Sequence, residues 1–187
     1  MALSNANIVV GGTGTVSAAP VGTAAPTTTS GALNGSFVDL GYLTEDGFTF
    51  TEGKDITDVN VWQSFYPARR MITGRSAQVA FSLREWKKDT IQFALGGTVS
   101  GTTPNFTYTP PSPSALVTKS LVIDWSDTNT NGVAVYFRLY FPVGIVSENV
   151  ETNLTRTDSA VLPVTFSGMD PGNGVVYQLF TSDPSFS

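Results

Sequence analysis

Val133-Ala134-Val135-Tyr136-Phe137-Arg138-Leu139-Tyr140-Phe141-Pro142-Val143-Gly144-Ile145 places a large apolar residue at every odd position and a small, polar or aromatic one between them. A period of two held over this length predicts a β-strand with one face in a core. Pro142 has no N–H to give to a ladder, so it predicts an edge position or a bulge near that end.

Working outward, the same alternation recurs. Ala77, Val79, Phe81 and Leu83 share one face of a strand, and Leu121, Ile123 and Trp125 repeat the pattern. Ala160–Phe166 and Val175–Phe180 read as two more strands. Phe37–Leu43 and Phe48–Thr51, separated by Glu45-Asp46-Gly47, read as strand, turn, strand, because Asp-Gly supplies the positive φ of a tight hairpin. Asp55–Trp62 alternates as a strand or an extended loop. Gly101–Pro113 carries four prolines and reads as a surface loop with a short strand at Phe106–Tyr108.

One segment has helical grammar. Ser82-Leu83-Arg84-Glu85 has capping-box spacing, Leu83, Trp86, Thr90, Phe93 and Ala94 fall on one arc, and Gly96-Gly97 supplies a stop. The expected architecture is all-β: a β-sandwich or partly open barrel over residues 37–181, with one α-helix at about residues 83–95. Residues 182–187 form a C-terminal tail. Residues 1–36 hold no charge and are rich in Gly, Ala, Thr, Ser and Pro, which predicts a disordered tail in a monomer or, in an oligomer, an extended N-terminal arm that orders against a neighbour. A chain without residues 1–36 is therefore expected to fold but to assemble poorly.

Composition narrows function. Of 187 residues only 13% are charged, against the roughly 25% usual for soluble proteins, while 41% are hydrophobic. Such a surface favours contact with other copies. The net charge of −5 provides no basic face for phosphates. With no Cys and no His, thiolate chemistry, disulfides and the commonest general base are absent, so no enzyme, cofactor or metal site is expected. The acidic stretch Asp39–Asp58 lacks the order of a calcium loop, and Gly11-Gly12-Thr13-Gly14 has no Gly-Lys-Ser/Thr after it. Nothing near Met1–Val10 resembles a secretory leader, and no run of 18 apolar residues predicts a membrane span.

Candidate contact residues follow from charge and aromatic placement. Glu45, Asp46, Asp55 and Asp58 lie in the acidic stretch, whereas Arg69 and Arg70 open a basic one; opposite patches on one molecule favour head-to-tail assembly. Trp62 lies between the two. Tyr136, Arg138 and Tyr140 share the non-core face of the longest strand, and Tyr and Arg are enriched at interfaces. The exposed aromatics also fit a carbohydrate-binding or adhesion module, the alternative reading.

Asp39-Leu40-Gly41-Tyr42-Leu43-Thr44-Glu45-Asp46-Gly47, then Trp62-Gln63-Ser64, then Leu83-Arg84-Glu85, together with the opening Met1-Ala2-Leu3 to Ile8-Val9-Val10, resemble the major tail tube proteins of siphophages, the long non-contractile-tailed bacteriophages, particularly those infecting actinobacteria. The resemblance implies a subunit of stacked hexameric rings in the virion, assembled in the host cytoplasm, whose hollow tube delivers DNA. It further implies a tape-measure protein in the lumen, tail terminator and distal tail proteins as partners, and no membrane. By the same resemblance, Ile8, Val9, Val10, the Thr44–Trp62 loop and the C-terminus reach adjacent subunits or rings.

Overall fold

The computed structural model describes residues 8–129 and 132–186. The main sheet has the order β2-β1-β7-β8-β9-β4-β3, with β10 paired on β8, and it does not close into a barrel. Its strands are β1 Thr13–Pro20, β2 Val38–Asp39, β3 Leu43–Val59, β4 Arg69–Leu83, β7 Lys119–Thr128, β8 Ala134–Val146, β9 Leu162–Gly168 and β10 Gln178–Thr181; β5 Thr98–Thr102 and β6 Asn105–Thr109 form a separate hairpin. All pairings are antiparallel.

The sheet folds over its own apolar face. β7 and β3 are four places apart in the strand order, about 19 Å on a flat sheet. Yet the rings of Phe48 in β3 and Trp125 in β7 have centroids 5.1 Å apart. The two halves, β1-β7-β8 and β9-β4-β3, therefore face each other as the layers of a sandwich. Leu121, Ile123, Leu139 and Phe141 from one half meet Val79, Phe81, Val164 and Phe166 from the other. This is the all-β, sandwich-like fold with one helix that the alternating segments predict.

The odd-position face of 133–145 is buried at Val135, Phe137, Leu139 and Phe141, and Ala77, Val79, Phe81 and Leu83 lie in the core as expected. Pro142 lies at a bulge. Leu121 is opposite Phe141 and Lys119 is opposite Gly144, and Ser120 Oγ donates to the Pro142 carbonyl at 2.6 Å. Its missing N–H falls where β8 changes partner, between β10 (paired up to Tyr140) and β9 (paired from Gly144).

Four expectations are corrected. The helix, α1, spans Lys88–Leu95 and not 83–95, and Lys87 caps it without a side-chain bond. Leu83 remains in strand because it pairs with both Leu43 and Leu162, and the Glu85 carboxylate accepts from the Tyr42 N–H, so the capping box never forms. Thr90, Phe93 and Ala94 are buried as the arc requires, but Trp86 lies half exposed ahead of the helix. Phe93 stacks near Phe81 and Phe166 and so packs α1 on the core.

Glu45-Asp46-Gly47 is not a hairpin turn. Leu43 pairs with Leu83 and Phe48 with Phe81, so residues 44–47 bulge within one long strand, with Gly47 at φ +67. A positive φ serves a bulge as well as a turn. The 101–113 loop contributes both β5 and β6 residues to a hairpin. Finally, the arm expected over 1–36 is a sheet strand over Thr13–Pro20. It pairs with β7 along its whole length, and Val16 is fully buried. Met1–Asn7, including the opening Met1-Ala2-Leu3, lie outside the described residues.

Gly144 shows how tightly the layers meet. A Cβ there would lie 2.5 Å from Cζ of Phe166 and from the Ser167 carbonyl oxygen. Gly144→Ala is expected to destabilise the fold by about 1–3 kcal/mol through overpacking, read as a lowered denaturant midpoint with an unchanged slope.

Candidate assembly surface

β3 and β4 outrun the rest of the sheet. β4 pairs with β9 only from Gln78 onward, so Gly53–Val59 and Arg69–Ser76 form a two-stranded ribbon with no third strand among the described residues. Seven residues of β3 carry it about 23 Å beyond the sandwich. The ribbon is rooted by Glu52, which accepts from the Tyr177 hydroxyl at 2.9 Å and pairs with Arg75 at 3.6 Å. That bond to a carboxylate, with burial adding to it, raises the Tyr177 phenol above its ordinary pKa. Phe50 packs edge-on against the same Tyr177 ring.

The ribbon ends in Val61-Trp62-Gln63-Ser64-Phe65-Tyr66-Pro67. Trp62, Phe65 and Tyr66 are the most exposed aromatic side chains here, with Trp62 at 99% and Phe65 at 107% of full exposure. The Ala68 N–H bond to the Val59 carbonyl holds the loop closed at its base. Large aromatics held this far from a core signify a surface meant to be covered.

The structure gathers Asp55, Asp58, Trp62, Arg69 and Arg70 on this one element, and it revises their electrostatics. Arg70 Nε lies 3.0 Å from Asp58 Oδ1. The charges segregated along the sequence are thus interleaved across the ribbon, and the two opposite patches expected from the sequence do not form there. Glu45 and Asp46 lie on the bulge near the sandwich, apart from the tip. Phe65 and Tyr66 entered the sequence reading only among the aromatics of the carbohydrate-groove alternative, and Ile56, Met71 and Ile72 were not among the expected contact residues; the aromatic run ending in a proline between two alternating segments was the available signal.

Tyr136, Arg138 and Tyr140 do not form one exposed face. Tyr136 is partly exposed, but Arg138 and Tyr140 are buried. Arg138 grips Asp124 with Nε and Nη2 at 2.6 and 2.9 Å, and it donates to the carbonyls of Thr28 (2.8 Å) and Gly31 (3.0 Å). The link between β1 and β2 thus lies as a strap over the outer face of β8. Burial pushes the Tyr140 phenol pKa up. At the other end of the chain, Ile8, Val9 and Val10 are exposed, and the Val10 N–H donates to Asp127.

Among the described residues no group of three Asp or Glu is placed to hold a metal ion, and no helix is long and apolar enough to cross a membrane. The surface clefts are shallow; one of about 270 Å³ lies between α1 and β1 and is floored by Ala18, Ala19 and Phe93. The chemistry on offer is association. In comparison with known proteins, a family model described as phage tail tube protein matches residues 1–187. No curated protein matches the chain.

Proposed function

The chain belongs to the phage tail tube protein family, a structural and not an enzymatic one, and from that premise we propose that it closes into hexameric rings that stack into the hollow tube through which DNA is delivered. The observation that carries this reading is the projecting β3–β4 ribbon with its bare aromatic tip, an element that has no third strand beside it among the described residues. The open sheet supports it as well. β3 leaves one edge of its backbone unpaired over 17 residues, and such edges aggregate unless they are paired or covered. Pairing between neighbouring subunits would close a continuous inner wall.

A tube of subunits that each carry −5 repels phosphates, so DNA slides through it without sticking. In this reading the tape-measure protein fills the lumen before DNA, terminator and distal tail proteins meet the two ends, and assembly takes place in the host cytoplasm. The contact residues are the ribbon's Asp55, Asp58, Trp62, Arg69 and Arg70, the terminal Ile8, Val9 and Val10, the bulge's Glu45 and Asp46, and Tyr136, with Arg138 seating the strap beneath and Tyr140 buried on the same strand.

Negative-stain microscopy of the purified chain tests the reading. The expected result is tubes of uniform diameter whose end-on views average with sixfold symmetry. A chain that stays monomeric at high concentration, with tape-measure protein present, would sink it.

A further inference from the structure

Asn-Gly occurs at Asn34-Gly35, Asn131-Gly132 and Asn173-Gly174. It is the dipeptide most prone to lose its side-chain amide, because glycine has no Cβ to hinder attack by its backbone nitrogen. Asn131 lies outside the described residues. The other two pairs are closely matched. All four residues are exposed. Asn34 Oδ1 accepts from the Ser36 N–H at 3.0 Å, and Asn173 Oδ1 accepts from the Val175 N–H at 2.9 Å, the turn asparagine makes when its side chain stands in for a backbone carbonyl. That bond polarises the side-chain carbonyl and folds it over the next peptide, so the electrophile is prepared alike at both sites.

The nucleophile is not. The Gly174 N–H donates to Asp170 Oδ1 at 2.9 Å, and the Gly172 N–H shares the same oxygen at 2.8 Å. These backbone bonds hold the Asp170 carboxyl below the usual carboxylate range, so the acceptor is ionised at neutral pH and the bond is charge-assisted. Taking the proton from Gly174 would break that bond and set two negative charges side by side. The Gly35 N–H has no acceptor among the described residues; the bond that closes its turn runs from the Phe37 N–H to the Asn34 carbonyl. A Cβ placed on Gly35 would meet nothing within 4 Å, so the space around the reacting atoms is open.

We propose that Asn34 is a site of spontaneous deamidation in the folded protein and that Asp170 guards Asn173 against the same reaction. The Gly35 nitrogen gives its proton to solvent and bonds to Cγ of Asn34; the Cγ–Nδ2 bond breaks, ammonia leaves and a succinimide closes. Water then adds across one of the two ring C–N bonds, giving an aspartyl residue in one direction and an isoaspartyl linkage in the other. One water enters and one ammonia departs. Either product places a carboxylate in a stretch that has no charged side chain before Asp39, at the turn that leads into the β2 residues Val38 and Asp39 paired with β1.

The test ages the purified full chain, folded, in mildly alkaline buffer and follows both sites by peptide mass mapping with isoaspartate detection. Acid at position 34 is expected to build up about tenfold faster than at 173, the factor set by one hydrogen bond to a charged group. Asp170→Ala is expected to bring the two rates together, as is unfolding the chain in denaturant, where only the shared Asn-Gly chemistry remains. If Asp170→Ala lowers the melting temperature, Asp170→Asn, which keeps an acceptor without the charge, is expected to raise the 173 rate by a smaller factor. Equal rates at the two sites of the folded chain, a 173 rate unmoved by substitution of Asp170, or a rate difference that persists in denaturant would each overturn the proposal. None of these outcomes depends on whether the chain forms tubes.

Discussion

Deleting residues 1–36 is expected to unfold the protein, not merely to prevent assembly. The deletion removes β1, which pairs with β7 from Thr13 opposite Ser126 to Pro20 opposite Lys119. It uncovers Leu121 and Ile123, now fully buried, and discards Val16, Ala18 and Ala19 from the interior. Loss of a buried Val costs about 1.5–3 kcal/mol, and each ladder hydrogen bond contributes about 0.5–1.5 kcal/mol net. Together these rival the total stability of a domain, about 5–15 kcal/mol. Deleting only residues 1–11 removes the Val10–Asp127 bond and leaves β1 whole, so that variant is expected to melt within a few degrees of the full chain, with roughly 2–4 °C corresponding to each kcal/mol at this size. Circular dichroism melts of both truncations decide the matter. A cooperative, near-native melt without residues 1–36 would show that β1 is dispensable.

That expectation reverses the reading from composition, and the reason is physical. Thr13-Gly-Thr-Val-Ser-Ala-Ala-Pro20 is built from small side chains, which bury without leaving a strong period of two. Its place is set by β7, about a hundred residues away in the chain. By contrast, 76–83 and 133–145 carry large apolar residues on alternate positions, and those strands were legible locally. Asp46-Gly47 announced a positive φ but not whether a turn or a bulge would use it. Ser82 and Glu85 had cap spacing, yet Leu83 was already claimed by two neighbouring strands.

The contact surface was legible in the same partial way. Trp62 stood out, but the ribbon's projection depends on where β9 stops pairing with β4, which no local pattern encodes. Arg138 and Tyr140 read as outward-facing because they alternate with core residues. What covers Arg138 is a strap contributed from residues 28–31, 107 to 110 positions upstream of it.

Arg138→Met is expected to destabilise the fold by about 3 kcal/mol, the lower end of the 3–5 kcal/mol seen when one partner of a buried ion pair is removed. The lower end applies because the Asp124 side chain keeps 27% of its exposure and can be partly rehydrated. Met fills most of the volume of the Arg stem, so the loss is mainly that of the four hydrogen bonds to Asp124, Thr28 and Gly31. Two consequences separate this account from simple loss of packing. Amide exchange is expected to quicken in the strap around Thr28–Gly31, since Arg138 supplies the bonds that tie it to β8. Substituting Asp124→Leu as well is expected to recover part of the loss, because an apolar pair carries no stranded charge whereas the single variant does. Denaturant melts of the two single variants and the double variant measure that coupling. Strictly additive losses with unchanged strap exchange would mean that the guanidinium neither compensates Asp124 nor holds the strap.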